Sequence, residues 1–353
     1  MKEALLVPRM FPRVGFSSGR PAQEVDRASV VAMLDTEEPC PAAAEVVRIT
    51  NFGQRDKQGA GPVEHLNSFA LSPDGKYVIL AVTTETPAGL ASSLYVKNAD
   101  KDAREKHLLL ENPGYVDMAP AIAPDGEDAL VFQSNRVDRT KPDLFSIRLA
   151  YEGNELTTRG GLVQLTSGSW FNFAPAPGAA SSAEIVFLTA DPLGTGALPQ
   201  VKTVRLDGTV PSTYPLRGSH VNVLERRKVV LTNEDPSTHR MRIVSASLDA
   251  RGESVLTSAE NLVAANCSMA AVSLGKPRRI LFVSDCEKTP KGRPQNDLFV
   301  MTAEGAVRRL TANESDDLMP AWSPLASEPD VVYFLSNRGG AYNVWRLRIV
   351  AGN

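Results

Sequence analysis

A short phrase of sequence recurs along this chain, and no other feature narrows its fold as much. Residues 117–149 carry the clearest copy, DMAPAIAPDGEDALVFQSNRVDRTKPDLFSIRL. The pattern predicts a strand over 118–123, a turn at Pro124, Asp125 and Gly126, a second strand over 128–134 and, past a polar loop, a third over 144–149. Proline presets φ and glycine tolerates φ > 0, as such a turn requires. Related copies begin at Ser68 (SFALSPDGKYVILAV), Phe173 (FAPAPGAASSAEIVFLT), Met269 (MAAVSLGKPRRILFVSD) and Met319 (MPAWSPLASEPDVVYFLSNR). The copy at Val221 is the most degenerate, with Glu225 to Lys228 in place of the proline turn. The second-strand anchors Leu80, Phe132, Phe187, Leu231, Phe282 and Phe334 lie about 44–55 residues apart, the period of a propeller blade.

The outer strands carry a second signature. Residues 162–166 (LVQLT), 253–257 (ESVLT) and 307–311 (VRRLT) each follow a third strand and end in threonine. The last copy runs to Ile349 with no such strand after it, whereas VVRIT, from Val46 to Thr50, precedes the first copy. The expectation is an all-β, six-bladed β-propeller of four-stranded blades over residues 46–353, in which the strand from Val46 to Thr50 completes the last blade and removes its open edges. Residues 1–45 do not repeat. They are rich in Pro, Arg and Ser, with one short helix candidate over 24–34, and read as a non-repeating extension.

The repeat resembles that of TolB-type (WD40-like) propellers, whose consensus is close to P-A-W-S-P-D-G-K, an apolar strand and S-x-R. The best matches are ALSPDGK at 70–76, residues 119–136, and PAWS at 320–323 with Ser336, Asn337 and Arg338. The resemblance implies the propeller, a bacterial envelope or periplasmic setting, and a scaffold that docks another envelope protein. The separate N-terminal α/β domain of TolB has no counterpart in these residues.

Strand order sorts the loops onto two faces. Turns between first and second strands are short. Loops before first strands and between second and third strands are long and share the opposite face, where binding sites on rigid scaffolds usually lie. First strands line the central channel, and their leading positions are His65, Asn67, Asp117, Asn172, His220, Asn222, Asn266 and Asp317. This polar ring reads either as a site for a peptide, a small polar ligand or a cation, or as loop-capping Asn and Asp. Asp117 and Asp317 offer hard oxygen ligands for a cation such as calcium, yet no calcium-loop motif accompanies them, and no cofactor is expected. Arg136 and Arg338 read as ligands for a partner carboxylate or as repeat residues that brace neighbouring blades. Tyr115, Trp170 and Phe171 precede first strands on the loop-rich face and are candidate aromatic anchors. Trp322 and Trp345 fall inside strands and read as core.

Enzyme signatures are sparse. No G-x-S-x-G elbow, Walker loop or dinucleotide fingerprint occurs. None of His65, His107, His220 and His239 forms a metal-binding pair in sequence, and His65 and His220 would have to converge with a carboxylate to make a metal or general-base site. A net charge of −3 gives no nucleic-acid footprint. No apolar run approaches the length of a transmembrane helix, and no signal-peptide core is read near the N-terminus. Cys40 reads as unpaired. If Met269 opposes Ser284, Cys267 opposes Cys286, which allows either a cross-strand disulfide or two buried thiols.

The leading expectation is therefore a non-catalytic propeller that engages a protein or peptide through its loop-rich face and channel mouth. The alternatives are a propeller enzyme acting on polysaccharide, a lyase or glycosidase, or a structural subunit held in an envelope assembly through residues 1–45. Oligogalacturonate lyases also use TolB-like repeats.

Overall fold

The computed structural model describes residues 43–350 except 54–63, 87–88, 101–105, 111, 113, 124–127, 178–183, 194–196, 210, 226, 259–261, 263 and 287–293. Cys40, the helix candidate, most of the N-terminal extension and the turn at Pro124–Gly126 lie outside the described residues.

Six four-stranded antiparallel sheets follow one another along the chain. The strand β1 (Ala43–Arg48) comes first in sequence. Blade I is β2 (Glu64–Leu71), β3 (Tyr77–Thr86), β4 (Gly89–Asn98) and β5 (Lys106–Leu108). Blade II is β6 (Asp117–Ala123), β7 (Ala129–Ser134), β8 (Asp143–Glu152) and β9 (Glu155–Gln164). Blade III is β10 (Phe171–Pro177), β11 (Glu184–Ala190), β12 (Gln200–Arg205) and β13 (Ser212–Arg217). Blade IV is β14 (Ser219–Glu225), β15 (Lys228–Glu234), β16 (Met241–Ser247) and β17 (Ser254–Val255). Blade V is β18 (Cys267–Val272), β19 (Ile280–Ser284), β20 (Asp297–Met301) and β21 (Val307–Arg309). Blade VI is β22 (Asp317–Trp322), β23 (Val331–Ser336) and β24 (Asn343–Ile349), with β1 paired to β24 as its outer strand. The closing strand is the expected one, starting earlier than VVRIT and ending just before Thr50.

Second strands are sandwiched between neighbouring blades, so their central residues form continuous apolar runs rather than alternating. Every residue of β7 and β23 is buried, and Phe132, Phe187, Phe282 and Phe334 are among the largest fully buried side chains. One apolar cluster joins Phe69 of blade I to Leu281 of blade V and Phe334 of blade VI, so the core is continuous across the seam.

The threonine that ends each outer-strand signature has a definite task. It sits two residues past its strand, and its hydroxyl accepts an N–H near the start of the third strand: Leu144 N–H to Thr166 (2.9 Å), Ile243 to Thr257 (3.1 Å), Leu298 to Thr311 (2.9 Å) and Val344 to Thr50 (2.9 Å). In three blades the same hydroxyl donates to the residue that heads that strand, Asp143, Asp297 or Asn343 (3.2, 3.4 and 3.0 Å). The residue two before the threonine donates to the threonine carbonyl: Gln164, Arg309 and Arg48 (2.8, 2.7 and 2.7 Å). These bonds satisfy strand-end groups that would otherwise be buried without partners.

First strands from blade II onward share a β-bulge. Ala119, Ala174, His220, Met269 and Met319 all adopt φ between 49 and 54°. A left-handed non-glycine residue costs roughly 1–2 kcal/mol, and here it turns a backbone N–H toward the preceding blade. Ala119 N–H donates to Ser68 Oγ (3.1 Å) and Ala174 N–H to Gln133 Oε1 (3.2 Å). The bulge also changes the register expected for blade V. Cys267, not Met269, stands opposite Ser284, because the bulge between Ser268 and Ala271 takes up the difference. Cys267 and Cys286 are thiols in this structure, not a disulfide.

Candidate functional site

The leading positions of the first strands do not form an open polar ring. Asp117 and Asp317 are fully buried and Asn172 is 4% exposed. All three lie at the start of first strands that are also bonded to the blade before: Ser92 Oγ donates to Asp117 O (2.9 Å), the N–H of Asn172 to Pro142 O (3.0 Å) and that of Asp317 to Asn296 O (2.8 Å). With strands hydrogen-bonded on both sides, these side chains turn into the blade.

Their partners are the two arginines. Asp317 receives Arg338 Nη2 on both oxygens (3.1 and 2.9 Å) and Asn313 Nδ2 at 2.9 Å. Asp117 receives Arg136 Nη2 at 2.8 Å and Asn112 Nδ2 at 2.9 Å. Arg338 is itself 5% exposed and lies over the rings of Phe334 and Trp345. Burial pushes the Asp117 carboxyl above the usual range, against bonds from Ser134, Arg136 and Asn112 that pull it down. The two arginines therefore brace their own blades, where the expected brace was between neighbouring blades. Asp117 and Asp317 pair with Arg136 and Arg338 within a blade, with Asp117 Oδ1 buried and left without a hydrogen bond, so neither arginine is an open grip on a partner carboxylate.

The remaining members of the expected ring are dispersed. His65 is exposed at the start of blade I, while Asn67, His220, Asn222 and Asn266 are half-buried. Asn172 Nδ2 donates to Asp143 Oδ1 of blade II (2.9 Å), and Asn266 Oδ1 accepts Met241 N–H of blade IV (3.2 Å), so both tie blades together. His220 keeps some accessible surface, yet burial along β14 pushes its pKa down to about 4, leaving a neutral imidazole at neutral pH beside Ser219 Oγ (3.1 Å). His65 and His220 stand three blades apart on a six-bladed ring. Among the described residues, no three His, Cys, Asp or Glu side chains gather as a metal-holding group.

The aromatic candidates divide. Phe171 is 8% exposed, drawn inward by its pairing with Ala190, and is core rather than an anchor. Tyr115 is half-buried, with Arg139 4.1 Å and Arg136 5.4 Å from its ring centre. Trp170 is 42% exposed, with Lys202 Nζ 5.8 Å from its ring centre. Trp322 and Trp345 are core, as expected.

The structure adds three residues to the loop-rich face that the sequence pattern did not single out. Leu90 (50% exposed) begins β4, Val137 (64%) lies between β7 and β8, and Leu193 (89%) lies between β11 and β12. With Trp170 they place large apolar side chains on one face of three consecutive blades, I to III, among the cations Arg139, Lys202 and Arg217. A lone Leu or Val inside a polar loop is the only sequence signal for them, and it does not distinguish exposure from burial.

One buried carboxylate, at the head of β20 in blade V, titrates in an informative window. Asp297 is fully buried, and burial pushes its carboxyl up to about 7, opposed by Arg309 Nη2 at 2.6 Å and reinforced by nearby Asp317. The unfolded chain binds that proton only below about 4. The folded state is thus favoured by this proton below about pH 4, and that contribution is lost as pH rises through 7. Asp297→Asn cannot titrate and leaves Arg309 able to reach water. Urea unfolding from pH 4.5 to 7.5 should show wild type losing roughly one to a few kcal/mol relative to the variant across this window. Parallel curves would contradict the assignment.

No protein-family model matches the sequence, and no curated protein matches it at a significant level. Among solved structures, the chain is similar to an oligogalacturonate lyase from Vibrio parahaemolyticus, with TM-score 0.51 and 14% identity over 86% of this chain and 93% of that one. It is also similar to a Hadza microbial sialidase, with TM-score 0.52 and 10% identity over 81% of this chain and 66% of that one. Hydrazine synthase from Kuenenia stuttgartiensis gives TM-score 0.50 and 13% identity over 72% of this chain, which spans only 40% of that one. At these identities the likeness is one of fold. The chain is a six-bladed β-propeller, an architecture whose relatives here carry different chemistries.

Proposed function

We propose that this propeller is a non-catalytic binding scaffold of the TolB-like kind, which takes a protein or peptide partner on the loop-rich face of blades I to III. The observation that carries this reading is the run of exposed Leu90, Val137, Trp170 and Leu193 on one face of consecutive blades. Single exposed apolar residues are ordinary, but four on neighbouring loops of one face make anchors for a partner. Of the polar groups expected at the channel mouth, Asp117, Asn172, Asn266 and Asp317 are instead bonded within and between blades. The function so proposed requires no cofactor. The TolB-like repeats support an extracytoplasmic setting and another envelope protein as the partner.

The test is affinity purification from the native host with wild type and with a Trp170→Ala, Leu193→Asp variant. Both positions are exposed, so the variant should melt as wild type does. A specific partner should be recovered with wild type and its affinity should fall at least tenfold in the variant, in line with losing one or two anchors worth about 2 kcal/mol each. A partner bound equally by both proteins moves the interface off this face and rejects the reading.

A further inference from the structure

Blade V repeats the brace of blades II and VI with different chemistry. The first brace position stands opposite the last residue of the second strand: Asp117 opposite Ser134, Asp317 opposite Ser336, and Cys267 opposite Ser284. The second lies two residues beyond that serine: Arg136, Arg338 and Cys286. In all three blades the serine hydroxyl accepts the N–H of the second position, at 3.3, 3.3 and 3.2 Å. The residues just before the two positions are tied alike. Asn135 accepts Val116 N–H (2.8 Å), Asn337 accepts Asp316 N–H (2.9 Å), and Asp285 accepts both Asn266 N–H (2.7 Å) and Asn266 Nδ2 (2.8 Å). The blade V positions therefore share the local frame of an ion pair, but hold two thiols.

We infer that Cys267 and Cys286 form a thiol–disulfide exchange site, a brace of the propeller that oxidation makes covalent. Residues offset by two across a regular antiparallel ladder lie about 7–8 Å apart, slightly too far for a disulfide. Here the ladder ends at Asp285, whose N–H bonds Asn266 O, and the Cys286 N–H folds back onto Ser284 Oγ, the oxygen that Cys267 Sγ also contacts at 3.4 Å. One hydroxyl thus gathers both cysteines.

The order of the chemistry follows from access. Cys286 is half-buried and Cys267 is fully buried. The Cys286 thiolate attacks a small-molecule disulfide, such as oxidised glutathione, forming a mixed disulfide and releasing one thiol. Cys267 then loses its proton and attacks the Cys286 sulfur, breaking the mixed disulfide and releasing the second thiol. Two protein thiols are oxidised and one disulfide is reduced to two thiols. Burial pushes the Cys267 thiol up to about 11, which fits it to the second, intramolecular step rather than the first.

The experiment uses the full chain carrying Cys40→Ser, incubated with oxidised glutathione, alkylated without denaturant and then with it, and weighed intact. The expected product has lost two hydrogens, takes up no alkylating reagent at Cys267 or Cys286, and melts several degrees above the same protein kept reduced. Cys267→Ala should stop at a stable glutathione adduct on Cys286, and Cys286→Ala should acquire no adduct. The inference is overturned if the parent chain itself stops at the adduct, or if both thiols remain alkylatable after oxidation. An intramolecular disulfide that forms only after unfolding also overturns it.

Discussion

Replacing Arg338 by Met should destabilise the propeller by about 3–5 kcal/mol, because it leaves the Asp317 carboxylate buried without its cation. Asp317 accepts two bonds from Arg338, and the aromatic rings of Phe334 and Trp345 that the guanidinium covers offer no substitute donor. The midpoint of urea unfolding measures the loss. Arg136→Met provides the internal comparison. That arginine is more open, its side chain 12% exposed, and it bonds one oxygen of Asp117, so its loss should cost less. A double change, Asp317→Leu with Arg338→Met, removes both charges and should recover much of the stability lost in the single variant. A loss below 1 kcal/mol in Arg338→Met would mean that the pair is not a structural brace.

The second large effect is expected at the seam. Deleting residues 1–50 removes β1, exposes the outer edge of β24 and takes away Ile49, which is 3% exposed, and Thr50 with its two bonds to the head of β24. Burial of one large aliphatic side chain is worth about 1.5–3 kcal/mol, and each unsatisfied buried polar group adds about 1–3 kcal/mol. The truncated chain should therefore lose at least several kcal/mol and associate edge to edge through β24. Thermal melting and size-exclusion chromatography read the two consequences. Thr50→Val isolates the staple and should cost about 1–3 kcal/mol, close to the cost of Thr166→Val, because the two threonines make the same bonds in different blades. A truncated chain that melts with wild type and stays monomeric would show that the ring does not depend on its closing strand.

The architecture was readable because the repeat states it six times. The phenylalanine anchors gave the period and the proline turns gave the hairpins. The terminal threonines gave the closure, and the structure supplies their physical reason in a hydroxyl that must meet an N–H near the start of the third strand. The candidate site was less readable. Asp117 and Asp317 are polar residues at the mouth of a channel, and type and position alone favour an outward side chain. What holds them inward is their bonds to Arg136 and Arg338 and their strands' bonds to the neighbouring blade, neither of which leaves a trace in periodicity. The first-strand bulge defeated the simple count that opposed Cys267 to Cys286. Phe171 and Trp170 are adjacent aromatics, yet strand pairing claims one and the loop leaves the other in solvent.

The pairing of β1 with β24 has a consequence for biosynthesis. Thr50 and its partner Asn343 are separated by 293 residues, so β1 must wait for β24 before it can pair. At roughly 5–20 residues per second that interval is on the order of tens of seconds, during which β1 has no native partner while five complete blades can form behind it. The nascent chain thus carries one unpaired adhesive strand ahead of its blades until β24 emerges, and whatever shields that strand in the cell determines the yield of closed rings.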